Sequence, residues 1–234
     1  MRFFDQSQLS PLASSGLVFA ACFVVTSAAA QSSCSSDGQR IPTALVERFI
    51  SADCDTCWAN PRTANAKARE LALDWIVPGA KGDDAPLSAA ASRDALQRLQ
   101  AIQQAAPADL IDVRHKLPAR PLALRVARGV ALGGYMGTSI ELKPTKGGAL
   151  PKHTLTAWLL LVEEIPAGTE GTPVARDLVR NALVLSWNGP AQHFFESRPM
   201  SIPNGANPDR LRVVGWVEDG QGLVLASAAS VCHK

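Results

Sequence analysis

The sequence predicts an α/β N-terminal half followed by an antiparallel, sandwich-like all-β C-terminal half. Three observations carry that expectation. An apolar run from Thr43 to Ile50 leads straight into Cys54-Asp55-Thr56-Cys57, and helix-like and strand-like segments alternate after it. Between Pro121 and Val231 there are only short apolar runs separated by turn residues. The first thirty residues read as an export segment, which leaves about 200 residues, enough for one large domain or two small ones sharing an interface.

The export segment starts weakly basic at Arg2 and carries an apolar run from Gly16 to Val25. Small residues at Ala28 and Ala30 fit signal-peptidase cleavage before Gln31. The run is shorter than the roughly 20 residues that a membrane span needs. Cys22 is followed by more apolar residues, so lipidation is not expected there. The expected organisation is a signal peptide over 1–30, an α/β part over 31–120 and an antiparallel β part over 121–234. The mature chain is expected to be periplasmic or secreted, with no membrane association after cleavage.

Lys and Arg number 23 against 21 Asp and Glu, a net charge of +2. That is too mild to attract nucleic acid or an anionic membrane. No basic cluster is interleaved with aromatics, so nucleic-acid binding is not expected.

Thr43 to Ile50 reads as a strand with Glu47 and Arg48 in its middle; at least one of them must point outward or pair, because isolated buried charge is costly. Asn60-Pro61 allows two helix starts. Asn60 caps with Pro61 at the first helical position, or the helix begins near Cys54 and Pro61 kinks it. Ala64, Ala68, Leu71 and Ala72 then fall on one helical face, and Leu71 to Val77 is also the second strand candidate. A second helix is expected from Leu87 to Ala106, with Ser92 capping its firmer part and Leu96, Leu99 and Ile102 as its buried stripe. Strand, crossover and strand suggest parallel pairing. In the C-terminal half, Leu122–Val126, Ser139–Leu142, Thr154–Ile165 and Leu178–Trp187 are strand runs, and Thr154–Ile165 is apolar enough to be central. Asp219-Gly220-Gln221-Gly222 joins Leu211–Glu218 to Leu223–Val231 as a hairpin.

Without Cys22, four cysteines remain: Cys34, Cys54, Cys57 and Cys232. They allow three pairings. The adjacent Cys54 and Cys57 most naturally close on each other, leaving Cys34 and Cys232 as a structural staple near the two termini of an exported chain. A strand before and a helix after the C-x-x-C pair favour thiol–disulfide exchange, because a helix N-terminus stabilises the thiolate of the first cysteine. Asp53 and Asp55 oppose that effect. A zinc site needs two further ligands, and Cys34, Cys232 and the scattered His115, His153, His193 and His233 do not supply them. Trp158, Trp187 and Trp216 are core candidates, whereas Trp58 is placed to cover the disulfide, to dock a partner or simply to pack.

Val46-Glu47-x-Phe49-x-Ser51-x-x-Cys54-x-x-Cys57 resembles the opening motif of a family of exported bacterial proteins with a thioredoxin-like fold, known mainly as a domain of unknown function. Leu73-Asp74-Trp75 with Gly79 is similar to its second strand and following loop, and Leu178-Val179-Arg180 and Leu223–Ala229 are similar to its C-terminal β region. The resemblance implies a thioredoxin-like N-terminal half joined to a β-rich half, with redox or structural use of Cys54 and Cys57. Asp53 stands where the family has a small residue, Trp58 where it has proline, and Ala72 where it has histidine. Thioredoxin-like sites also place a cis-proline against the cysteines, for which Pro118 and Pro121 are the candidates. The leading function is therefore exchange with protein thiols, with Cys54 attacking and Cys57 resolving and no cofactor or metal. The alternative is a non-catalytic periplasmic binding or interaction module in which both disulfides are structural.

Overall fold

The computed structural model describes residues 34–63, 67–119, 122–146 and 148–232. The expected signal peptide over 1–30, together with Cys22, Ala64, Pro121 and His233, lies outside them. The N-terminal segment contributes β1 (Cys34–Ser35), β2 (Ala44–Ser51), α1 (Asp55–Ala59), β3 (Glu70–Val77), α2 (Arg93–Ala101) and β4 (Leu110–Lys116). Then come β5 (Ala123–Leu132), β6 (Tyr135–Lys143), β7 (Leu155–Ile165), β8 (Arg176–Trp187) and β9 (Phe194–Ser201). The chain closes with β10 (Leu211–Glu218), β11 (Val224–Ala229) and β12 (Val231–Cys232).

These strands form a seven-stranded sheet in the order β11-β10-β7-β8-β3-β2-β4 and a five-stranded sheet in the order β12-β1-β5-β6-β9. Pairing is antiparallel except for β2 with β3 and the single contact of β3 with β8. The expected thioredoxin-like α/β half is therefore corrected. β2, β3 and β4 do not build a helix-covered sheet of their own but extend the sheet that β7, β8, β10 and β11 begin. The described helices are too short to cover a sheet: α1 has five residues and α2 nine.

Burial explains the element types. In β7, Leu155, Ala157, Leu159 and Leu161 alternate onto one face, where they meet Val126, Met136 and Ile140 of the five-stranded sheet. Trp158, Leu160 and Val162 point to the other face, where they join Leu99 of α2. A strand covered on both sides reads as an unbroken apolar run. Gly215 in β10 permits close packing here, since a Cβ would lie 2.8 Å from Val126 Cγ1 and 3.1 Å from the Trp158 carbonyl oxygen.

Several local expectations change. Leu71 and Ala72 belong to β3 rather than to a helix. The helix expected over 87–106 is a 3-10 turn at Ser88–Ala90 followed by α2, which Ser92 caps by accepting from the Ala95 amide at 3.2 Å. Its buried face is Ala95, Arg98 and Leu99, whereas Leu96 is 40 % exposed. The buried guanidinium hid this stripe from a hydrophobicity pattern. β4 and β9 were not anticipated: both are edge strands, and their half-exposed residues carry only a weak apolar alternation.

The candidate functional site

β2 ends at Ser51, and the C-x-x-C turn begins three residues later, at Cys54. Cys54 is the N-cap of α1, its Sγ accepting from the Cys57 amide at 3.2 Å. Asn60, extended at ψ 114°, ends the helix, as expected of a residue that precedes proline. Asp53 turns away from the sulfurs and accepts from the amides of Ala80 at 2.7 Å and Lys81 at 3.3 Å. It thereby fastens the loop after β3 to the cysteine turn.

Gly79 shows how tight this join is, because a Cβ there would lie 2.4 Å from the Asp53 carboxylate. Gly79→Ala must displace Asp53 and break both amide bonds. The expected cost is about 1–3 kcal/mol, read from urea unfolding midpoints, and adding Asp53→Ala to the same chain should recover part of it.

Cys54 is disulfide-bonded to Cys57, and Cys34 to Cys232. The second bridge joins directly opposed residues of β1 and β12. In the C-x-x-C pair the accessibility is inverted with respect to exchange chemistry. Cys54, the expected attacking thiol, is 9 % exposed, while Cys57 is half-buried. A helix of five residues supplies little of the dipole that would lower a thiol pKa. Asp109 places a carboxylate oxygen within 4.8 Å of both sulfurs, and this charge opposes any thiolate, resident or incoming. The two sulfurs are bonded to each other, so these three residues offer no thiolate to a cation.

Of the two cis-proline candidates, Pro118 is excluded by topology and Pro121 lies outside the described residues. β4 is antiparallel to β2, with Lys116 opposite Ala44, so Pro118 lies beyond the start of β2 while Cys54 follows its end. Eight residues of strand separate the two, about 25 Å. Asp109, just before β4, is the residue that β4 brings to the cysteines, donating no proton but accepting from the Ser51 amide through its carbonyl at 2.8 Å.

Trp58 does not stand out from the surface. It is 5 % exposed, donates from Nε1 to the Glu170 carbonyl at 2.7 Å and lies under the Arg176 guanidinium, 4.7 Å from the ring centroid. Arg176 also donates to the carbonyl oxygens of Trp58 at 2.5 Å and Asn60 at 3.1 Å, and to Thr172 Oγ1 at 3.0 Å. It reaches Asp74 Oδ1 at 3.3 Å, and Asp74 is held by Arg48 at 2.7 and 2.8 Å. The chain of contacts from Arg48 through Asp74 to Arg176 therefore pins the end of α1 to the sheet.

On the opposite face of the same strand, Glu47 accepts from Arg98 at 2.7–3.0 Å and contacts His115 Nε2 at 3.0 Å. Arg98 also bonds Glu218 at 2.6 Å. Its guanidinium lies 4.8 and 5.0 Å from the rings of Trp158 and Trp216, which stack on each other. Glu47 and Arg48 are thus both buried and both paired, one on each face of β2, as strand alternation requires. His115 is part of this cluster rather than a surface histidine. Burial pushes the Glu47 carboxyl up, but Arg98 and His115 more than offset it and hold it below the ordinary carboxylate range.

Beside α1 opens a cavity of about 330 Å³. Trp58, Ile76, Leu87 and Leu178 form its apolar wall, and Glu170, Arg180 and Asn204 its polar end. Sequence reasoning missed this feature, because its lining comes from six separate segments.

The fold and site together define a two-sheet β protein whose C-x-x-C turn is closed, capped and charge-pinned. Comparison with known proteins finds structural neighbours at low sequence identity. HBP35 of Porphyromonas gingivalis superimposes with a TM-score of 0.50 at 11 % identity, covering 82 % of this chain and 76 % of that one. A domain of the outer membrane lipoprotein Omp28 from the same organism aligns with 49 % of this chain and 89 % of its own, at 12 % identity and a TM-score of 0.34. No protein-family model and no curated protein matches the sequence. The resemblance of the cysteine motif to the exported thioredoxin-like family is corrected accordingly: it does not extend to a family match or to the fold. Among the described residues, no helix is long and apolar enough to cross a membrane.

Proposed function

We propose that the chain is an exported, non-catalytic binding module in which both disulfides are structural, rather than an oxidoreductase acting on protein thiols. The observation that carries this reading is the placement of Cys54: the residue that would have to attack is 9 % exposed, and its sulfur serves as a helix cap. Exchange requires in-line access to a sulfur and a stabilised thiolate. The partly accessible Cys57 sulfur instead has the Asp109 carboxylate nearby. Two disulfides fit an oxidising compartment, which supports a periplasmic or secreted location and an exported protein or small molecule as partner.

The test is a glutathione-buffer titration of the full mature chain, with Cys54 and Cys57 followed separately by mass-tagging of free thiols. The expected midpoint lies below about −300 mV, where structural disulfides fall. A midpoint between about −120 and −270 mV, the range of thiol oxidoreductases, with a mixed disulfide trapped on Cys54 in a Cys57→Ser variant, would restore the exchange function.

A further inference from the structure

We propose that the cavity beside α1 binds a zwitterionic α-amino acid with an apolar side chain, its carboxylate on Arg180 and its ammonium group on Glu170. This inference rests on the binding-module reading and names the ligand class and the site.

Arg180 is placed by an irregularity in β8. Leu161 pairs with Asn181 and Val162 with Val179, so Arg180 is an extra residue in the strand. Such bulges re-aim a side chain and recur beside functional sites. Its side chain is 8 % exposed and contributes to the cavity lining. Nε donates to Glu163 Oε2 at 2.6 Å, which fixes the plane of the guanidinium. Nη2 lies 4.0 Å from Glu170, and Nη1 takes no acceptor among the described residues. A preoriented guanidinium edge of this kind is suited to a carboxylate.

Glu170 is held at the other side of the polar end by an uncommon backbone. Its φ is 48° and that of Gly171 is 74°, in a turn closed by the Thr172 amide donating to the Thr169 carbonyl at 3.0 Å. Gly, Asn or Asp is favoured at both central positions of such a turn. A glutamate there costs on the order of 1 kcal/mol or more. An observed outlier of this kind is a reason to look for function. The turn sets the Glu170 carbonyl on Trp58 Nε1 and its carboxylate on Arg210 at 2.6 Å.

Charge balance selects the ligand. Arg180 and Arg210 face Glu163 and Glu170, so the polar end is neutral as it stands. A simple anion or cation would upset this balance. A zwitterion adds a matched pair, and its side chain meets Trp58, Ile76, Leu87 and Leu178. A volume of about 330 Å³ stands at the small end of the roughly 300–1,000 Å³ occupied by small-molecule sites.

The experiment is isothermal titration calorimetry of the full mature chain with L-phenylalanine, L-leucine, 3-phenylpropionate and phenethylamine. Saturable binding of at least one amino acid is expected, with both phenyl analogues at least tenfold weaker than phenylalanine. Arg180→Gln and Glu170→Gln should each weaken binding at least tenfold. Because Arg180→Gln also disturbs an ion pair, Ala90→Phe serves as a second variant: it fills the cavity from the apolar wall and should abolish binding with the unfolding midpoint retained. The proposal is overturned if neither amino acid gives a saturable signal, or if 3-phenylpropionate binds as well as phenylalanine and is indifferent to Glu170→Gln. Absence of binding alongside an inert Cys54–Cys57 pair removes the ligand assignment alone; an exchange-active pair removes the module reading whatever the titration gives.

Discussion

Replacing Arg98 with methionine is expected to lower the stability of the folded chain by about 3–5 kcal/mol, the cost of leaving a buried charge without its partner. Arg98 bonds two carboxylates, Glu47 and Glu218, in a core otherwise made of Trp158, Trp216, Leu99 and their neighbours. Methionine fills much of the volume and removes the positive charge. The pH dependence gives the loss a signature. In the wild-type chain Glu47 is held below its ordinary range, so its contribution is present above the unfolded-state pKa of about 4.3 and disappears as pH falls through the lower folded value. Without Arg98, burial dominates and raises the Glu47 carboxyl instead. A carboxyl raised in the folded state is destabilising at neutral pH, and acid relieves it. The gap between variant and wild type should therefore narrow from pH 7 to pH 5 in chemical denaturation. A gap that is constant with pH, or smaller than about 1 kcal/mol, would show that Glu47 is not the group left exposed to the cost. Adding Glu47→Gln and Glu218→Gln to the variant should restore a substantial part of the stability, since neutral groups are cheaper to bury.

How much of this was legible in the sequence depends on which force places each residue. β2, β3, β7, β8 and the β10–β11 hairpin could be read because apolar runs and Gly-rich turns are local signals. Both bridges could be read because four cysteines in an exported chain leave few pairings. The layer architecture could not. Strand–helix–strand patterning around residues 43–77 suits a helix-covered sheet equally well, and what joins that segment to the C-terminal strands, β3 beside β8 and side-chain bonds such as Trp58 to Glu170, links residues distant in sequence. The buried ion pairs were invisible for a related reason: Arg98 at a core position of α2 looks like a solvated residue until Glu47, 51 positions away, is brought to it. The same holds for Arg176, whose carbonyl acceptors lie 116 and 118 positions earlier. The thiolate argument leaned on a helix dipole that a five-residue α1 supplies only weakly, and a C-x-x-C spacing does not set helix length.

Arg176 therefore offers the sharpest test of whether the cysteine turn is a structural device. Arg176→Met removes the donors to the Trp58 and Asn60 carbonyls and the cation over the Trp58 ring, while Asp74 keeps its two bonds from Arg48. Two carbonyls lose a charged donor, each such bond being worth about 1.5–3 kcal/mol, so the expected destabilisation is about 3–6 kcal/mol by urea unfolding. The loss should be local as well as global. With α1 released, Cys54 and Cys57 should be reduced by dithiothreitol at least tenfold faster than in the wild-type chain, at a temperature where both remain folded, while the rate at Cys34 and Cys232 stays unchanged. If the disulfide and the guanidinium hold the same turn, their removals are not independent. The triple variant Arg176→Met with Cys54→Ser and Cys57→Ser should then differ from the sum of the losses of Arg176→Met and of the two-cysteine variant by more than about 0.5 kcal/mol, the margin within which independent sites add. Strict additivity would place the two devices in separate parts of the fold's energetics, and the disulfide would need a reason other than structure for being there.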